Sequence, residues 1–219
     1  MIRASRLIVL VAASFILLMN ESAFAQHSRL FPPTELGMLE GPDRDSYQRP
    51  EQIMDALYIG EGSIVADVGA GGGWFTVRLA RRVGPNGIVY AEDVQPQMIQ
   101  AIEGRVRGEG LRNVRMVLGT ALDPKLPEAA LDAMLIVDTY HEMDGPITQL
   151  RNLAKALKPN GLIGIVEFKK DGFGPGPEMD ERIDPERVIH DAEAAGLVLR
   201  RRETFLRYQH LLIFGLPSR

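Results

Sequence analysis

The run Val65-Ala66-Asp67-Val68-Gly69-Ala70-Gly71-Gly72-Gly73-Trp74-Phe75 sets a carboxylate two residues ahead of glycines that recur at every second position. A carboxylate suits an ammonium or a hydroxyl, and glycines let a ligand lie against bare backbone N–H groups. That combination suits a nucleotide-like ligand. Two known versions of such a loop do not fit. The dinucleotide fingerprint G-x-G-x-x-G would put its third glycine at Trp74, which disfavours an NAD-linked oxidoreductase. A phosphate-cradling loop ends in Gly-Lys-Ser/Thr, and neither Lys nor Ser follows here. From this segment alone, a plain glycine turn in an α/β protein stays open.

The flanks must position the loop. Apolar runs and breaker residues predict strands at 63–68, 88–93, 113–118, 131–138 and 161–168, and helices at 73–83, 96–108 and 145–158. A helix from Pro50 to about residue 59 precedes them, with Ile53, Leu57 and Met54 inward. Lys158-Pro159-Asn160-Gly161 reads as a helix stop and a turn. Asp184 caps a last helix, with Pro185 in its first turn and Gly196 as its stop; strands at 197–205 and 209–215 close the chain. Such alternation implies a parallel sheet with helices on both faces. In open sheets of this kind the ligand sits at the carboxyl ends of the strands, where 67–73, 92–94, 119–121 and 138–142 converge.

The spacing Asp67-x-Gly69-x-Gly71-x-Gly73 resembles the first motif of the class I S-adenosylmethionine-dependent methyltransferases. Their ligand carries an amino-acid end and a sulfonium but no phosphate, which suits an acid beside bare backbone. Ala91-Glu92-Asp93-Val94 resembles the second motif, and the resemblance implies that Asp93 holds the ribose hydroxyls, with Glu92 the neighbour if the register slips by one. Leu118-Gly119-Thr120-Ala121 stands where the family often has Gly-Asp-Ala. Thr120 replaces the acid that reaches the adenine, leaving Ala121 backbone contacts. The strand 131–138 falls at the fourth motif. The resemblance spans roughly Arg44 to the C-terminus. It implies S-adenosylmethionine as cofactor, held by Asp67, Gly69, Ala70, Gly71, Glu92, Asp93, Val94, Thr120, Ala121 and Asp138. It also implies a Rossmann-like, seven-stranded, mostly parallel sheet with helices on both faces and a C-terminal antiparallel hairpin.

On the acceptor side, Asp138-Thr139-Tyr140-His141-Glu142 follows the fourth strand. Methyl transfer from a sulfonium is an in-line displacement that mainly needs alignment; a base helps where the acceptor is a hydroxyl or an acidic carbon. His141 is the first candidate for base or acceptor positioning, with Tyr140 and Glu142 behind it. Capping of the next helix is the alternative for His141. Asp138 faces the cofactor or serves structure. Glu167, with Lys169 and Lys170, borders the crevice, and the Gly/Pro-rich segment 171–177 is a lid or a plain surface turn. Arg182 is expected to pair with Glu178 on the surface, a carboxylate in the site being the alternative. Trp74 packs at the head of its helix or shields a sulfonium by cation–π contact. Arg44-Asp45-Ser46-Tyr47-Gln48-Arg49-Pro50 is expected to fold over the cofactor. It resembles a segment of a bacterial methyltransferase-like group, many of whose members carry leaders.

Residues 1–25 have the layout of a secretory signal peptide. Arg3 and Arg6 precede an apolar run from Leu7 to Met19, and Ala23-Phe24-Ala25 offers a cleavage site after Ala25. The run is shorter than the ~20 residues that span a bilayer comfortably. The expectation is an exported, periplasmic protein with no stable span after cleavage, although that location leaves the supply of a cytosolic cofactor unexplained. An irregular arm at 26–48 then leads into a methyltransferase domain at 49–219. There is no Cys, which excludes disulfides, thiolate metal sites, cysteine nucleophiles and thiol-handled arsenic acceptors; no metal site is predicted. A formal net charge of −4 with no basic run disfavours nucleic acid. The expected partner is a small-molecule acceptor, the oligomeric state being open. The runner-up is a non-catalytic S-adenosylmethionine or nucleoside-binding protein of the cell envelope.

Overall fold

A computed structural model describes residues 30–218, so the leader expected at residues 1–25 lies outside the described residues. Seven strands form one sheet in the order β3-β2-β1-β4-β5-β7-β6. They are β1 (Ile64–Val68), β2 (Ile88–Asp93), β3 (Val114–Leu118), β4 (Leu131–Val137), β5 (Leu157–Phe168), β6 (Val198–Glu203) and β7 (Gln209–Gly215). The first five run parallel, while β7 pairs antiparallel with both β5 and β6. The chain leaves β1 in one direction to β2 and β3, then returns across it to β4. This reversal opens the crevice at the β1 and β4 tips.

Helices α2 (Pro50–Ala56) and α3 (Trp74–Val83) cover one face, where Ile53, Leu79 and Val83 pack on Val65, Val89 and Leu135. On the opposite face α5 (Pro146–Ala156) and α6 (Pro185–Ala194) bring Leu150, Leu153 and Val188 onto Ala66, Val68 and Ile136. Helix α4 (Pro96–Gly108) lays Ile102 and Val106 against Ala91 of β2. Each buried aliphatic side chain of this kind contributes about 1.5–3 kcal/mol, so the strands are anchored on both faces and their tips are fixed platforms.

Two expectations need correction. The arm is not irregular throughout: a 3-10 helix spans Pro33–Glu40 and a short helix α1 spans Arg44–Gln48. Pro33 supplies a preset φ to the first, and Arg49, ahead of Pro50, takes φ +48 and separates α1 from α2. The turn read at 158–161 lies inside β5, because pairing with β4 begins at Leu131–Leu157 and resumes at Ala133–Leu162. The residues between bulge out of the ladder without ending it. A Cβ on Gly161 would come within 2.7 Å of the Leu131 carbonyl, so that bulge needs the glycine.

Candidate functional site

One cavity of about 950 Å³ lies over the tips of β1, β2, β4 and β5. This is the upper end of the roughly 300–1,000 Å³ typical of small-molecule sites. Its floor is the glycine loop. Gly69, Gly71 and Gly73 have φ of +67°, +53° and +79°, a region that disfavours side chains. A Cβ on Gly69 would lie 2.1 Å from Thr139 Cγ2, and Thr139 Oγ1 donates to the Gly69 carbonyl at 3.2 Å. The loop after β4 thus sits directly on the loop after β1, a contact that sequence spacing alone does not reveal.

Three acids stand around this loop. Asp67 accepts a 2.6 Å bond from Thr76 Oγ1 of α3, tying the β1 tip to the helix that follows. Burial pushes its carboxyl up to about 6 against the pull of Thr76 and Arg44. Asp93 accepts from the Gly71 and Gln95 backbone N–H groups at 2.9 Å each, and burial outweighs these bonds so that its carboxyl also rises. Glu92 is buried beside it. Its Oε2 is 3.4 Å from the Gly69 N–H while its Oε1 has no partner. Burial and the neighbouring Asp93 push Glu92 up to about 8. Ala70, Val94 and Ala121 also line the cavity.

Thr120 does not line it. Its backbone N–H donates to the Asp123 carbonyl at 2.9 Å and its hydroxyl accepts from the Asp123 N–H at 3.0 Å, so the side chain closes a surface turn. Thr120, expected among the cofactor-binding residues, thus stands outside the cavity lining.

At the opposite end, the 3-10 turn Tyr140–Glu142 separates its three side chains. Tyr140 goes into the core and donates to Asp191 Oδ2 at 3.1 Å, so the catalytic role expected of it is corrected to a structural one. Asp191 keeps two 3.0 Å bonds from Arg187. A Tyr140→Phe variant is therefore expected to lose about 1–2 kcal/mol of stability in chemical denaturation with ligand affinity at the cavity unchanged. Reduced affinity without reduced stability would contradict this assignment.

His141 turns into the cavity. Its Nδ1 is 2.9 Å from Glu167 Oε2, and its backbone N–H donates to Glu167 Oε1 at 3.3 Å. One buried carboxylate therefore fixes both the ring and the turn that carries it. With Nδ1–H given to Glu167, Nε2 is the nitrogen left for a ligand, 3.9 Å from Glu142 Oε1. Burial pulls the imidazole down, but the Glu167 bond and charge, with Glu142 and Asp138, outweigh it and raise it to about 9.

Asp138 lines the cavity at φ +53, its oxygens held by Gln48 Nε2 at 3.0 Å and Gln209 Nε2 at 2.6 Å. It fastens α1 to the sheet, and burial followed by the nearby Glu167 raises its carboxyl to about 6. Neither glutamine carries a sequence signal for this part.

The arm closes the roof. The Phe31 N–H donates to Glu142 Oε2 at 3.0 Å, and Gln95 Nε2 donates to the Phe31 carbonyl at 3.1 Å. Arg44 and Tyr47 line the cavity as expected of a segment folded over it. Trp74 packs at the head of α3, and its ring already carries the guanidinium carbons of Arg44 at 4.3 Å and Arg78 at 3.4 Å. Arg182 is not a surface partner of Glu178. It is 5 % exposed and donates to the carbonyls of Lys169, Phe173, Pro175 and Pro177 at 2.9–3.2 Å, which staples the 171–177 segment into shape. Among the described residues no helix is long and apolar enough to cross a membrane.

Comparison with known proteins agrees with this architecture. A family profile described as "Methyltransferase domain" matches residues 65–161. The demethylmenaquinone methyltransferase of Geobacillus stearothermophilus is 28 % identical over 117 residues, covering 53 % of this chain and 50 % of that one. The ubiquinone/menaquinone biosynthesis C-methyltransferase of Vibrio vulnificus (strain YJ016) is 30 % identical over 115 residues, covering 52 % and 44 %. The chain thus spans about half the length of the curated relatives it matches. A crystal structure of a SAM-dependent methyltransferase from Aquifex aeolicus superposes with a TM-score of 0.80 at 29 % identity, covering 84 % of this chain and 98 % of that one.

Proposed function

Because the chain belongs to the class I S-adenosylmethionine-dependent methyltransferases, we propose that it transfers a methyl group to a small-molecule acceptor held beside His141. One observation carries this reading: a single cavity is lined by both the acid-flanked glycine loop and His141, whose ring Glu167 holds from behind. The residues present fit the cofactor. Gly69 and Gly71 line the cavity without a side chain, Asp67 offers negative charge at the β1 tip, and Asp93 keeps acceptor capacity beyond its two backbone bonds. When bound, the cofactor supplies an electrophilic methyl on a sulfonium.

The chain's own residues then align and deprotonate the acceptor. Glu167 holds Nδ1 protonated, so the Nε2 lone pair becomes available as the imidazolium loses its proton. A like charge in the same cavity disfavours the imidazolium, which brings that loss from about 9 toward neutral pH. Met143 and Phe168 give the acceptor region apolar wall. The names of the quinone C-methyltransferase relatives support a hydroxylated aromatic acceptor, whose ring becomes nucleophilic once its hydroxyl is ionised. The leader read at residues 1–25 supports an exported location, which mass spectrometry of the native N-terminus tests.

The decisive experiment is isothermal titration with S-adenosylmethionine and S-adenosylhomocysteine, followed by label transfer to a panel of naphthols, quinols and amines. Micromolar binding with a methylated product is expected. Binding with no product across the panel would favour a non-catalytic pocket, and no binding would remove the reading.

Proton linkage supplies a second check. Asp67, Asp138 and Glu92 titrate at about 6, 6 and 8, all above their unfolded values. The folded protein thus holds these protons more tightly, and that stabilisation is complete at acid pH and lost as pH rises through 6 to 8. The melting temperature of the free protein is expected to fall from pH 5.5 to 8.5. A cationic ligand favours the ionised acids, so its binding releases protons and tightens over the same range. An affinity that weakens with pH would contradict this account.

A further inference from the structure

We propose that Glu92 reads the exocyclic amino group of the cofactor's adenine, a part that Thr120 cannot play. The inference rests on the cavity being an S-adenosylmethionine site. Glu92 and Asp93 are adjacent on β2, so their side chains leave the strand toward opposite faces. Asp93 turns to Gly71 and to Gln95 at the head of α4. Glu92 keeps Oε2 3.4 Å from the Gly69 N–H and turns Oε1 toward the segment that follows β3.

Its carboxylate takes the space a side chain at Gly119 would need: a Cβ there would lie 1.9 Å from Glu92 Oε1. The carboxylate therefore projects from β2 over the tip of β3. There Thr120 is consumed by its own turn with Asp123, and Ala121, two residues on from Gly119, lines the cavity.

Burying a carboxylate is costly, and leaving one of its oxygens without a donor is more so. Glu92 is 1 % exposed, lines the cavity, and has Oε1 unpartnered among the described residues. A ligand N–H aimed at Oε1 offsets that cost, and the adenine amino group is a donor with no lone pair to repel the oxygen. Burial and the Asp93 charge raise Glu92 to about 8; in its neutral form its carbonyl oxygen still accepts that bond. Asp93, one residue on, stays with the ribose hydroxyls, so the two neighbouring acids divide the nucleoside between sugar and base.

The test is a cycle between ligand and protein by isothermal titration. S-adenosylhomocysteine is compared with its purine counterpart, in which hydrogen replaces the 6-amino group, on wild type, Glu92→Ala, Glu92→Gln and Gly119→Ala. Wild type is expected to prefer the amino form by about tenfold, the scale of one buried hydrogen bond. Glu92→Ala should bind the two within about twofold of each other. Glu92→Gln, which keeps an acceptor oxygen, should retain most of the preference, and Gly119→Ala, whose methyl displaces the carboxylate, should lose it. Equal binding of the two ligands by wild type would overturn the proposal even if every variant failed to fold. A Glu92→Ala protein that weakens both ligands alike would overturn it too. If wild type binds neither ligand, the cofactor reading itself has failed.

Discussion

A Gly69→Val variant is expected to bind S-adenosylmethionine at least about a hundredfold more weakly than wild type while keeping its helical circular dichroism. Two separate costs combine. The residue sits at φ +67, where a β-branched side chain is strained by roughly 1–3 kcal/mol. The added Cβ also lands 2.1 Å from Thr139 Cγ2 and 2.8 Å from Thr139 Oγ1. The loop after β1 or the loop after β4 must move, and the cofactor floor moves with it. Gly69→Ala should show a smaller loss. Gly69→Ala combined with Thr139→Ala should recover part of the affinity, because the two worst contacts go while the Thr139 Cβ, 2.9 Å away, and the φ strain stay. Titration calorimetry on the four proteins reads this directly, and wild-type affinity in Gly69→Val would show that the loop does not cradle the ligand.

His141→Ala is expected to lower kcat about 10²–10⁴-fold, the range for a positioned general base, with cofactor affinity little changed. The pH profile carries the sharper signature. In the free protein the imidazole titrates at about 9 and the bound sulfonium lowers it, so at saturating cofactor kcat/KM for the acceptor should rise with pH and level below that value. Glu167→Gln removes the charge that raises the imidazole but leaves its burial in place, so the limb should move to lower pH. Activity in Glu167→Gln should fall about 10–100-fold, since the amide neither fixes the tautomer nor stabilises the imidazolium. NMR titration of the His141 ring would report both shifts without an assay. A rising limb that His141→Ala leaves in place would assign it to another group.

Most of the sheet is legible in the chain because its signals are local. Helix α4 begins and ends where Pro96 and Gly108 were read, and β2 spans the strand expected at 88–93. What escaped is non-local or turns on a single backbone angle. Tyr140 and His141 are chemically plausible neighbours, and only the 3-10 geometry of residues 140–142 sends one to the core and the other to the cavity. The arm looked irregular because its prolines and glycines break long helices, yet Phe31 finds Glu142 across 111 residues of sequence. Thr120 was placed by a family pattern, whereas its hydroxyl obeys the nearer Asp123 N–H. Arg182 carries a full charge and suggests a carboxylate partner, but four carbonyls claim it instead.

The Arg182 staple bears on how such a protein can change its preferences over time. Its guanidinium bonds to main-chain carbonyls between residues 169 and 177 and lies over the Phe168 ring, so apart from the close-packed Gly174 and Gly176 these bonds do not depend on which side chains the segment carries. Phe173 projects from it into solvent, 69 % exposed, while Pro175 and Pro177 line the cavity. Substitutions at Pro175 and Pro177 can repaint the rim of the chamber while the main-chain carbonyls that Arg182 holds stay in place. One arginine thus separates heritable variation in what is admitted from the alignment on which turnover depends.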